Sequence, residues 1–151
     1  MNPKTQKAFV AIAQALGAES IAVCGTEHQV KSFPLVLFTG SRDWDDYDTV
    51  SEMLDLLQRV LGRFNVIHGG APGLDSVVDH IARHRGMNPE VVRPRYDLYH
   101  PKVAPKRRNV EMLIQEPDIV VGFWTGSEGG TTHCLEWAIN VYRIPTMVIT
   151  C

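Results

Sequence analysis

The chain has 151 residues, of which 44% are apolar and 21% charged, and its formal net charge is -2. That length suits one domain with its own core, and the charge balance excludes a chain drawn as a whole to nucleic acid or an anionic membrane. No apolar run approaches the ~20 residues of a membrane span, and Cys24, Cys134 and Cys151 form no C-x-x-C pair, which argues against a disulfide framework or a zinc knuckle.

The opening MNPKTQKAFVAIAQALGAES carries neither a continuous apolar stretch nor an export-type cleavage site. No signal peptide is expected, and the cytoplasm is the default. Asn2-Pro3 reads as a helix cap, and Phe9, Ile12, Ala13 and Leu16 recur at helical spacing up to Gly17. Ile21-Ala22-Val23 reads as a short strand, and 24–33 as a turn-like stretch. Residues 1–33 are therefore expected to be a helical extension, whose apolar face offers a surface for a homodimer, and 34–151 the main domain.

From Leu35 apolar runs alternate with helical periods. Leu35–Phe38 is a continuous apolar run, as in a strand buried on both faces. Val50, Met53, Leu54, Leu57, Val60 and Leu61 form a helical stripe. A second strand at Phe64–Ile67 precedes a helix marked by Leu74, Val77, Val78 and Ile81. A third strand, Glu90–Val92, leads into a basic loop and a helix over about 104–115. The fourth strand is Asp118–Phe123, the next helix carries Leu135, Ala138, Ile139 and Tyr142, and Thr146–Ile149 closes the series. Five strands alternating with helices predict an α/β, Rossmann-like open sheet, mostly parallel, with helices on both faces. In such sheets ligands bind at the carboxyl ends of the strands.

Three of those ends are rich in glycine. Thr39-Gly40-Ser41-Arg42-Asp43-Trp44 offers a tight turn, a hydroxyl and a guanidinium that can fork onto phosphate; equally it is a capped strand–helix connection. His68-Gly69-Gly70-Ala71-Pro72-Gly73-Leu74-Asp75 presents backbone N–H groups at a helix start, where anions bind, or it is only a turn with Asp75 as a favourable first-turn acid. Trp124-Thr125-Gly126-Ser127-Glu128-Gly129-Gly130-Thr131-Thr132 combines glycines and hydroxyls before a helix, and competes with a plain loop capped by threonine. Three such turns on one edge favour an anion site. The basic segment holding Arg93, Arg95, His100, Lys102, Lys106, Arg107 and Arg108 leaves the same edge.

Other features say less. His80 and His84 lie four apart on a helix, but without an acidic or cysteine ligand no metal is expected. No other cofactor is expected either. Trp44 and Trp124 are placed to stack on a base or simply to pack. Cys134 has no evident activating partner and reads as structural.

The ordered set FTGSRDW, HGGAPGLDSVVDHIA, KRRNVEML and GFWTGSEGGTTHCLEWA resembles the SLOG superfamily, which includes the cytokinin-activating LOG hydrolases and DprA, and within it the YspA, or YpsA-related, branch. The resemblance spans about 35–150. It implies a pocket for a nucleotide or an ADP-ribose- or NAD-like molecule. By analogy Gly40, Ser41 and Arg42 form the first binding turn, and Gly69, Gly70, Gly73 and Asp75 the second. Arg108 and Asn109 reach in from the third helix, while Gly129, Gly130, Thr131 and Thr132 hold the phosphate. LOG hydrolases carry P-G-G-x-G-T-x-x-E, whereas here the third residue after Thr131 is Cys134 and Glu136 comes later. At ~100° of rotation per residue, Glu136 need not face the ligand.

The expected partner is thus a nucleotide-derived small molecule, captured by a sensor or sequestering module. The alternative is an N-glycosidase, with Asp75, Glu128 and Glu136 as candidate acids. DprA-like binding of single-stranded DNA ranks third, against the acidic net charge.

Overall fold

In the computed structural model, which describes residues 33–126 and 128–150, β1 (Leu35–Gly40) is the middle strand. Four of its residues in succession, Val36 to Thr39, are buried, because the sheet is covered on both sides. Around it lie β2 (Asn65–His68), β3 (Glu90–Val91), β4 (Ile119–Trp124) and β5 (Thr146–Thr150), in the order β3-β2-β1-β4-β5. Every pairing is parallel, with Leu37 opposite Ile67 on one side and Val120 on the other.

Parallel neighbours need crossovers, and four helices supply them: α1 (Tyr47–Leu61), α2 (Leu74–His84), α3 (Ala104–Leu113) and α4 (Gly130–Asn140). The period of two along a strand sends alternate side chains to opposite faces. Val36 and Phe38 join Val50, Met53, Leu54, Leu57, Leu74, Val77 and Val78 in a core beneath α1 and α2. Leu37, Ile67 and Val120 join Met112, Leu113, Cys134, Leu135 and Ala138 in a second core beneath α3 and α4. This is the Rossmann-like α/β arrangement that the alternation predicts.

Boundaries shift by a residue or two, for local reasons. Asn65 rather than Phe64 opens β2, with its N–H on the Pro34 carbonyl, while Phe64 turns into the core. β3 ends at Val91, although the Val92 N–H still reaches the His68 carbonyl. α3 stops at Leu113, and Glu116 adopts φ 55° before β4. Asp118 precedes β4 and clamps β1 instead, its Oδ2 accepting from Leu35 N at 2.8 Å. The expected helix and strand before residue 33, and the 1–33 extension apart from Phe33, lie outside the described residues.

Strand order reverses around β1. The crevice at the carboxyl ends of β1 and β4 is therefore the switch point where open α/β sheets bind ligands.

Candidate functional site

At that switch point lies an open cavity of about 950 Å³, lined from all three glycine-rich turns and from α3. The first turn forms its floor. Gly40 allows β1 to pass against Leu74, because a Cβ there would overlap the leucine side chain. Ser41 is buried and stitches the crevice: its N–H donates to Phe123 O, and its Oγ accepts from Thr125 N at 3.0 Å. Arg42 lies exposed in the cavity wall. Beside it Asp43 accepts weakly from Thr125 Oγ1.

The second turn carries its own anion. The Asp75 carboxylate curls back from α2, and its Oδ2 accepts from Gly69 N and Ala71 N, both at 3.1 Å. Gly70 N donates instead to His68 Nδ1, whose ring holds Asp79 through Nε2 at 2.9 Å. Burial pushes the Asp75 carboxyl above its ordinary value, while the Ala71 N–H, the nearby Arg108 charge and the Gly69 N–H pull it back. Its Oδ1 is buried without a partner in the structure.

The glycines of this turn serve packing. Gly73, at φ 77°, caps α2 where a side chain would overlap the Ser41 and Arg42 carbonyls, so the second turn rests directly on the first. Gly69 leaves room for the Arg108 guanidinium, and Gly70 backs onto Val91 and Arg93. None of these three glycines lines the large cavity, whereas Ala71 and Asp75 do.

From α3, Arg108 and Asn109 tie the second turn to the last. Arg108, only 7% exposed, donates from a terminal nitrogen to Gly69 O and from Nε to Asn109 Oδ1 at 3.0 Å. Desolvation lowers its pKa and the Asp75 carboxylate opposes that; a guanidinium nevertheless stays charged. Asn109 Nδ2 donates to Gly130 O at 3.0 Å.

The last turn opens at Gly129, whose φ of 154° and ψ of -151° suit glycine alone. α4 starts at Gly130, where a Cβ would meet open space. Thr131, Thr132 and His133 follow in its first turn and line the cavity. The first amides of a helix have no partner within it and sit at the positive end of its dipole. Glu128 and Glu136 add carboxylates to the wall, and Lys102 and Lys106 add cations from the basic segment.

The third position after Thr131 points inward. Cys134 is fully buried in the core, and burial pushes its thiol up to about 12. Glu136 lies four residues after Thr132, about 40° away around the helix, and so shares the cavity-facing side. The displaced glutamate thus reaches the cavity after all.

The basic segment divides. Lys102, Lys106 and Arg108 line the cavity, Arg95 pairs with Asp97, Arg107 lies over Tyr99, and Arg93 lines a second hollow of about 490 Å³ beside His80 and His84. Trp44 packs edge-on against Phe123, with centroids 5.1 Å apart, and is buried; Trp124 is half-buried and lines neither space. Among the described residues no three His, Cys, Asp or Glu side chains converge as a metal site requires, and no helix is long and apolar enough to cross a membrane. Sequence reasoning did not place Thr39, Asp43 or His133 in the site, though all lie in the cavity wall; Asp43 was read only as one of three candidate helix caps, with Asp45 and Asp46, and Asp46 takes that role. His133 follows directly on the hydroxyl pair, which was the signal available.

The profile of the "YspA, cpYpsA-related SLOG family" matches residues 34–99, from the start of β1 to the basic loop. The "Gene 61 protein" of Mycobacterium phage D29 is 40% identical over 109 residues, which is 68% of this chain and 86% of that protein. No solved structure matches significantly.

Proposed function

Because the chain belongs to the YspA, cpYpsA-related SLOG family, whose membership suggests nucleotide-related ligand binding, we propose that it captures a phosphate-bearing nucleotide or an ADP-ribose-like derivative in the cavity at the switch point. One observation carries the reading: the glycine-led N-terminus of α4 opens into the same cavity as Arg42, Lys102, Lys106 and Arg108. The positive end of a helix dipole, faced by four cations, favours a ligand with more than one negative charge. About 950 Å³ is at the upper end of small-molecule pockets and accommodates two linked phosphates with their sugars. The binding unit is residues 34–151, with 1–33 an appendage to it.

The module reading ranks ahead of the hydrolase because Asp75 is spent on its own turn. Glu136 in the cavity wall supports the second reading, an N-glycosidase, since cleavage of a glycosidic bond needs a carboxylate beside the sugar. One preparation tests both. Native mass spectrometry of the purified protein is expected to show a retained nucleotide, and calorimetry to show binding of ADP-ribose more tightly than of nucleoside monophosphates. Chromatography of the same mixtures is expected to show no free base or ribose phosphate over hours. Release of base by the parent, abolished in Glu136→Gln or Glu128→Gln while binding persists, would establish the glycosidase instead.

A further inference from the structure

The side chains around Asn109 form a chain of donors and acceptors with a single consistent assignment. A guanidinium only donates, so the Asn109 atom that meets Arg108 Nε at 3.0 Å is the amide oxygen. The NH2 group then faces the other way, where it meets Gly130 O at 3.0 Å and His133 Nδ1 at 3.3 Å. An NH2 group also only donates. Nδ1 of His133 must therefore offer its lone pair, and the neutral ring carries its hydrogen on Nε2. Protonating the ring would set an Nδ1–H against the amide N–H.

The surroundings agree. His133 sits in the first turn of α4, where the helix dipole disfavours a cation. Burial first and the Lys106 charge second hold its pKa below the ordinary value, against Glu136. Trp137 lies against the ring, with centroids 5.3 Å apart and planes tilted 35°. With Nδ1 engaged by Asn109, the ring's one remaining polar group is Nε2–H, and the residue lines the cavity.

We propose that His133 is a specificity-determining residue whose neutral imidazole, oriented by the Arg108–Asn109 relay, donates its Nε2–H to a phosphate oxygen held at the start of α4. This rests on the ligand class proposed above. Asn109 is its positioning residue: it selects which ring nitrogen bears the hydrogen.

The test has two arms. In the free protein, nitrogen-15 correlation spectra of the imidazoles, with the His133 signals assigned by their loss in His133→Gln, are expected to show the Nε2–H tautomer at neutral pH. An Nδ1–H tautomer or an imidazolium overturns the relay. Calorimetry with ADP-ribose, whose pyrophosphate does not titrate near neutrality, reads the contact. His133→Gln places an amide N–H near the position of Nε2 and is expected to bind within about threefold of the parent. His133→Asn reaches only the Nδ1 position and is expected to lose about tenfold. Asn109→Asp turns an acceptor towards Nδ1, draws the hydrogen there and is expected to lose as much, with the tautomer reversed in the spectra. Equal binding by the Gln and Asn variants overturns the contact. A parent that binds neither ADP-ribose nor nucleoside monophosphates refutes the proposed function and the phosphate contact together, and the tautomer in the free protein still decides the relay.

Discussion

Replacing Asp75 by alanine tests whether the second glycine turn is held by an internal anion. The carboxylate is 5% exposed and accepts from the amides of Gly69 and Ala71. Removing it leaves two largely buried N–H groups without partners, at about 1–3 kcal/mol each. Relief from burying the charge and its unpartnered Oδ1 offsets part of this, so a net loss of roughly 2–4 kcal/mol is expected. Against a total stability of about 5–15 kcal/mol, the variant stays folded but unfolds at clearly lower urea. Asp75→Asn keeps an oxygen for the two amides and is expected to lose roughly 1 kcal/mol. The pH dependence has a definite sign. Burial raises the folded pKa, so between the ordinary aspartate value and the raised one the folded state holds a proton that the unfolded state releases. The stability linked to Asp75 is complete at the acid end and is lost as pH rises through the folded pKa. The parent should therefore lose stability relative to Asp75→Asn across that interval, and the difference should level off above it. Urea titrations followed by circular dichroism at several pH values measure both effects. An Asp75→Ala midpoint equal to the parent's, with an unchanged slope, would refute the reasoning.

Gly130→Val should fold normally, since a side chain there meets open space, yet weaken ADP-ribose binding at least tenfold by calorimetry; undiminished affinity would remove the α4 N-terminus from the site. Arg42→Ala should leave the melting temperature unchanged and cost about 1.5–3 kcal/mol of binding, more for ligands with two phosphates than with one. Arg108→Ala should lower both binding and the melting temperature, because that guanidinium also holds Gly69 O and Asn109. Cys134 should resist alkylation at pH 8 in the native protein, its thiol being pushed up to about 12, and react on unfolding, as peptide mapping would show.

The fold was legible because its strands are buried on both faces and so appear as uninterrupted apolar runs, with Leu37 and Val120 fully buried in adjacent strands. The glycine turns were legible as places where backbone approaches something, but not as to what. At Gly69 the neighbour is Arg108, 39 residues away, and at Gly73 it is the Ser41–Arg42 backbone. Such partners belong to tertiary structure and leave no local trace. Asp75 could be read as a first-turn acid, and the structure extends that role to the amides of the turn before it. Glu136 was named as a candidate acid, but its facing stayed open for a different reason. Its direction depends on where α4 begins, and a run of Gly, Gly, Thr and Thr admits several starts, of which the structure takes Gly130.

The turns around the cavity are joined to one another through the protein itself. Ser41 bonds Thr125 and Phe123, Leu74 N donates to Ser41 O, Arg108 holds Gly69 O, and Asn109 holds Gly130 O. At these bonded positions the entropy of fixing the backbone is met by folding rather than by binding. The buried members of the set, Ser41, Asp75, Arg108 and Asn109, bond within that scaffold as well as lining the cavity. Discrimination among ligands falls to the more exposed groups of the wall: Arg42, Lys102, Lys106 and His133 for anions, and Glu128 and Glu136 against them. Substitutions in the first group should change stability and binding together, whereas those in the second should change binding alone. That division separates the scaffold from the reading surface whichever nucleotide-derived ligand the cavity takes.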